Sequence, residues 1–198
     1  ALGDGFFCLA MPFGLYIETE GAISCCVASW RRIDDTMVPP RVKLTSLYLN
    51  SILAKTDALA AGFDEAILLN QDGHVCEGSG ENIFLVQQGR IATPPLSDNI
   101  LPGITRDTVM DLARNELGMD VVERSIDRSE LYLTDEVFLT GTAAHITPVG
   151  QIDHRTIGTG EVGSITRQLR ELYFDIVQGK NPKYIHLCTP ASPRLVKT

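Results

Sequence analysis

Between residues 66 and 93 the chain runs AILLN, HVCEGSG, NIFLVQQ and RIATPP, four short strand-like segments punctuated by Asp72-Gly73 and Gly89. Short strands so closely spaced by turn residues form a meander, and the remaining elements must pack on it. Helical apolar spacing recurs over 46–61, with a Leu49–Ile52–Leu53 stripe ending at Gly62, over 103–117 before Gly118, and over 164–178 before Gly179. Strands are expected over 6–13, over 22–29, and in MDVVERSI, DEVFLTGTAA and HITPVGQID, with a helical turn or two in RSELYL. TMVPPRVK reads as an extended connector, because each proline disfavours helix at the residue before it. The Pro-punctuated tail NPKYIHLCTPASPRLVKT reads as irregular. Together these predict an α+β fold, with helices packed on mixed, mostly antiparallel sheets.

At 198 residues the chain can bury one sizeable core. A net charge of −8 argues against a nucleic-acid or anionic-membrane surface. No apolar run approaches the roughly 18–20 residues that span a bilayer, and FFCLAMPF lacks the flanks of a signal peptide. Five cysteines (Cys8, Cys25, Cys26, Cys76, Cys188) without a C-x-x-C, and four scattered histidines, fit neither a disulfide framework nor a metal site. A reduced, cytoplasmic protein without metal is expected. The chain opens on Ala1 and enters apolar sequence almost at once, so a segment upstream of it is expected too.

The stretch CEGSGENIF places Glu77 and Glu81 where two apolar strands meet, with Asn82 beside them. It is not a dinucleotide loop, since Ile83 stands where the last glycine should be and a strand follows. It is not a hydrolase elbow either, because Gly78 and Gly80 directly flank Ser79. Of the five lysines, Lys180, Lys183 and Lys197 belong to the tail, and Lys55 lies off the apolar stripe of its helix, where it can reach solvent. Lys43 sits at a strand-to-helix junction among apolar neighbours, where desolvation favours a neutral, nucleophilic amine; snorkelling to solvent is the other reading. LPGITRD leads into a helix whose first amides, at Ile104 and Thr105, suit a phosphate, or form an ordinary helix start. TGTAAHITP offers amides and the Thr140 and Thr142 hydroxyls to a ligand, or is a tight turn. An amine, a phosphate cradle and a buried carboxylate are what pyridoxal phosphate requires.

VKLTSLYLNSILAK, DGHVCEGSGENIF, TPPLSDNILPGITRDTV and DEVFLTGTAAHITPV, in that order, resemble the branched-chain amino acid aminotransferases, pyridoxal-phosphate enzymes of fold type IV. The resemblance runs from about Trp30 into the tail and implies the larger domain of that fold. It implies that Lys43 forms the Schiff base and moves a proton between the substrate Cα and the cofactor. Glu77 would pair with the pyridine nitrogen, and Tyr48 would hydrogen-bond the phenolic oxygen. Ile104, Thr105 and Thr142 would hold the phosphate. Thr142 and Ala143 would meet the substrate carboxylate, with Glu81 and Asn82 orienting neighbours of the lysine and phosphate. The implied reaction moves the amino group of leucine, isoleucine or valine to 2-oxoglutarate, in a homodimer.

D-amino acid aminotransferases and aminodeoxychorismate lyases share the scaffold, and a non-catalytic remnant is the remaining alternative. The family also has a smaller N-terminal domain, which nothing before residue 30 matches. Residues 1–30 are therefore expected to be the interdomain connection and first strands, and residues 31–198 the cofactor-binding domain. Leu44-Thr45-Ser46-Leu47 replaces a small, Gly- and Asn-containing stretch, so crowding of the cofactor is expected there. His145 stands where an acid is usual.

Overall fold

The computed structural model describes residues 5–9 and 21–189. Its elements are β1 (Ile23–Arg31), α1 (Tyr48–Ala60), β2 (Glu65–Leu69), β3 (Val75–Gly78), β4 (Asn82–Gln87), β5 (Arg90–Thr93), α2 (Ile104–Asn115), β6 (Val121–Glu123), β7 (Glu136–Gly141), β8 (His145–Ile152), β9 (Arg155–Thr156) and α3 (Ser164–Val177). The expected meander is β2 to β5. Gly73 and Gly89 take left-handed φ of 93° and 75° at its turns, as their lack of a Cβ permits. Of the strand expected over 6–13, residues 6–9 have no regular structure and the rest lies outside the described residues. The tail departs from expectation: Pro182–Leu187 forms a 3-10 helix, started by Pro182 and by the Asn181 side chain accepting from the Lys183 amide.

The strands form one mixed sheet in the order β3-β2-β1-β8-β7-β4-β5-β6, with β9 beside β8. A further pairing of β3 with β4 closes six of them into a barrel. That closure consists of one residue pair, Glu77 opposite Asn82. β1 pairs in parallel with both β2 and β8, so the strand that crosses the expected boundary at residue 30 lies inside the sheet.

Side chains alternate between barrel interior and exterior along each strand. Cys25, Ile67, Leu69, Ile83, Leu85, Leu139 and Val149 fill the interior. Phe84, Val86 and Phe138 face outward and are covered by α2 and α3 through Val109, Leu112, Leu169 and Tyr173. Helix α1 covers Ala66 and Leu68 of β2.

Helix α1 packs the other way round from the expectation. Ser51, Ala54 and Ala58 face the sheet, whereas Leu49 and Ile52 are 65% and 58% exposed and Leu53 37%. Small side chains let the helix axis approach the strands closely, and the larger ones cannot follow into that gap. Ala58→Leu should therefore destabilise the fold by about 1–3 kcal/mol through overpacking. Leu49→Ala should stay within about 0.5 kcal/mol. Urea denaturation of the two variants checks the orientation.

Candidate active site

The closing pair of the barrel carries the chemistry. Glu77 lies opposite Asn82, and Asn82 lies opposite Thr140 of β7. Directly paired residues share a face, so all three side chains project outward in one row. Glu77 is 5% exposed. Its Oε1 meets the Arg32 guanidinium at 2.8 Å. Its Oε2 accepts from Asn82 Nδ2 and from the Leu101 amide, each at 3.0 Å. A carboxylate has about four acceptor positions, so one remains for a donor in the cavity. Burial pushes this carboxyl up to about 7, against the opposing pull of Arg32 and of the Leu101 amide.

The row opens on a cavity of about 330 Å³, within the size range of small-molecule sites. Lys43, Tyr48, Glu77, Glu81, Asn82, Ile104, Thr105 and Thr142, all anticipated from sequence, line it. Ala143 does not; it lies exposed in the β7–β8 turn beside Thr142. Gly103 precedes α2, where a Cβ would come within 2.1 Å of Asn82 Oδ1. Only a glycine lets the start of the helix come so near the row. No side chain caps α2, so its first amides point outward without intrahelical acceptors.

Several expectations need correction. Lys43 is exposed at the cavity mouth, its Nζ 5.9 Å from the centroid of the Tyr48 ring. The apolar neighbours that were to desolvate it do not enclose it: Val42 is 48% and Leu44 36% exposed. Leu44 and Leu47 do line the cavity, as expected from their bulk, but Thr45 and Ser46 turn away from it. Asn82 orients Glu77 and the Leu101 carbonyl, which accepts from its Nδ2 at 2.9 Å. Glu81 is itself part of the cavity wall.

Lys55 is not a solvent lysine. Its Nζ donates to Glu65 Oε2 at 2.6 Å, and Glu65 is wholly buried. His145 adopts φ 54° and sets its ring 5.3 Å from that of Phe174 on α3, where a carboxylate would lose its solvation.

Sequence reading missed Arg32 and Arg41. Arg32 follows an exposed Arg31 at the end of a strand, so the alternation of faces was the available signal. Arg41 lines the mouth two residues before Lys43, held by Asp35 at 2.9 Å and by the Leu96 carbonyl.

Burial and the neighbouring Glu65 push Glu81 up to about 8. Glu77 and Glu81 thus both fold with raised values. Each stabilises the fold fully below the ordinary glutamate range near 4.5, and that contribution is lost as pH rises through its folded value. Between about pH 5 and pH 8 the folded protein holds protons that the unfolded chain has released, so stability should fall as pH rises. Glu81→Gln should flatten that slope, read as Tm against pH on the cofactor-free protein.

The family model of amino-transferase class IV matches residues 3–152. This chain belongs to the class IV aminotransferases. It is 55% identical over 178 residues to the "Probable branched-chain-amino-acid aminotransferase" of Aquifex aeolicus, with 90% of this chain and 57% of that protein aligned. The branched-chain aminotransferase of Thermoproteus uzoniensis, solved with norvaline, superposes with a TM-score of 0.87 at 50% identity, over 92% of this chain and 60% of that one. The branched-chain amino acid aminotransferase of Thermobaculum terrenum, solved in its PLP-bound holo form, superposes with a TM-score of 0.85 at 45% identity, over 86% of this chain and 56% of that one. The chain thus spans less than two-thirds of the length of these class IV relatives. Their fold type is that of the barrel and helices described above. Among the described residues no helix is long and apolar enough to cross a membrane and no group of side chains could hold a metal ion.

Proposed function

We propose that this chain is the cofactor-binding domain of a branched-chain aminotransferase, with Lys43 as the amine that holds pyridoxal phosphate. One observation carries the reading. Lys43, Tyr48, Glu77, the start of α2 and Thr142 come from four separate stretches of sequence and line the same cavity. The relatives solved with norvaline and in the PLP-bound form agree with this reading.

The residues present fit the group. Thr140 Oγ1 is buried in the cavity wall with no partner among the described residues. The α2 amides lack acceptors, and Glu77 keeps one acceptor position. Pyridoxal phosphate, when bound, supplies an electron sink that stabilises negative charge at the substrate Cα. Glu77 then holds the proton on the pyridine nitrogen. Tyr48 donates to the phenolic oxygen, and the α2 amides with Thr105 and Thr142 hold the phosphate. Ala143 presents its amide to the substrate carboxylate from the turn. The Lys43 amine would act as the base that moves the proton at the substrate Cα. Leucine, isoleucine or valine is the donor and 2-oxoglutarate the acceptor, in a homodimer of cytoplasmic location.

The visible spectrum of the protein with pyridoxal phosphate, before and after leucine, tests this. A yellow band that needs Lys43 and bleaches with leucine is the expected result. A band that forms equally well in Lys43→Ala overturns the assignment of the lysine, and a Lys43-dependent band that ignores leucine overturns the substrate.

A further inference from the structure

We propose that Glu81 stands in the cavity wall as a neutral carboxylic acid that donates a hydrogen bond to an anionic oxygen bound there. The pair of half-buried Lys55 and buried Glu65, at the same end of the barrel, keeps it in that form. The donor role rests on the aminotransferase reading; the protonation does not.

Three features of the fold lead to this arrangement. First, Glu65 opens β2, and alternation along β2 puts Ala66 and Leu68 under α1 and Glu65, Ile67 and Leu69 toward the barrel interior. Second, Glu81 lies in the tight turn between β3 and β4 and folds back across the same end of the barrel. Its Oε2 occupies the place where a Cβ on Gly78 would come within 2.7 Å, and its Cγ lies 3.6 Å from the Cβ position of Gly141. The two glycines make the room that this side chain fills. Third, Lys55 reaches down from α1 and binds Glu65 Oε2, while Glu65 Oε1 accepts from the Ala66 amide at 2.6 Å. Both oxygens of Glu65 are thereby engaged, and Glu65 is not among the residues that line the cavity.

A count of charges decides the state of Glu81. Glu65, Glu77 and Glu81 are 0%, 5% and 4% exposed. Arg32 is committed to Glu77 and Lys55 to Glu65. Arg106, the other buried cation nearby, is bound by Glu123 at 2.6 Å, and Lys43 stands exposed at the mouth. Cys25 faces the same end of the barrel, and burial together with the glutamates keeps its thiol neutral. Asp64 is engaged by the Ser24 amide and hydroxyl. Among the described residues a third buried negative charge would have no cation of its own, and its one donor there is the Gly80 amide at 3.1 Å. Two carboxylates sharing a buried space cannot both ionise cheaply, so Glu81 keeps a proton. Glu81 lines the cavity, and a neutral carboxyl there can donate a hydrogen bond into it. The acceptor is an anionic oxygen, either the cofactor's phenolate or the carboxylate of the amino or 2-oxo acid.

Infrared difference spectroscopy of the intact protein tests the proposal directly. A carboxylic-acid carbonyl band is expected at neutral pH, absent in Glu81→Gln. Glu65→Gln removes the like charge, so the midpoint of the band should fall by about one pH unit or more. Lys55→Met strips the pair of its cation and should add protonated-carboxyl signal at neutral pH, which keeps the test decisive should Glu65→Gln not fold. Absence of the band in the native protein, or a midpoint and signal unmoved by both variants, overturns the proposal.

Adding pyridoxal phosphate should shift the carbonyl frequency if the phenolate is the acceptor. A shift that requires leucine as well assigns the substrate carboxylate, and no shift with either removes the donor role. Failure of pyridoxal phosphate to bind native protein at all would defeat the aminotransferase reading and the donor role with it, while the titration would still settle the protonation.

Discussion

Lys43→Ala should lower kcat for leucine transamination by at least about 10⁴-fold, because in the proposed function it removes both the covalent anchor of the cofactor and the base that moves the Cα proton. The loss should not come from unfolding. Lys43 is exposed, and its contact with the Tyr48 ring spans 5.9 Å, so stability should change by no more than about 0.5 kcal/mol. Lys43→Arg keeps the charge but not a nucleophilic amine, and should lose as much activity as Lys43→Ala. Steady-state kinetics alongside urea denaturation separates the two effects. Activity retained in Lys43→Arg would mean that the residue serves only as a cation.

Arg32→Met is expected to be the most damaging change for stability. Arg32 and Glu77 have side chains 6% exposed and lie 2.8 Å apart; removing one partner strands the other without water, at a cost of about 3–5 kcal/mol. The same change raises Glu77 further, so that its carboxyl becomes neutral at working pH and cannot hold a protonated pyridine. Turnover should fall along with Tm. Arg32→Met combined with Glu77→Gln should recover part of the stability but none of the activity. That split between the two readouts distinguishes a partner of Glu77 from a residue that only fills space. Recovery of activity in the double variant would remove Glu77 from the proposed chemistry.

Much of this arrangement was legible in the chain. The meander, the three helices and the α+β class followed from turn residues and apolar spacing, which are local properties. The carboxylates of CEGSGENIF, the helix start at Ile104 and Lys43 at a strand-to-helix junction were visible as residue types out of place for plain structure. What was missed has a common cause. Arg32, Lys55 and Glu65 look like ordinary surface charges, because nothing local reveals that each has a buried partner. For Arg32 that partner is 45 residues away in Glu77, and for Lys55 it arrives from the next strand.

The sequence by itself determined which residues share a face, where the three helices and the turns of the meander lie, and which side chains are able to do chemistry. Only the tertiary structure decided which face is turned inward. Helix α1 shows the difference: its periodicity marks Leu49, Ile52 and Leu53 as one stripe, yet the close approach of helix to sheet selects Ser51, Ala54 and Ala58. Likewise, barrel closure at the single pair of Glu77 and Asn82 brings strands, turn and helix start to one cavity. Periodicity is a property of neighbours along the chain, whereas burial and charge balance depend on what the fold brings alongside them.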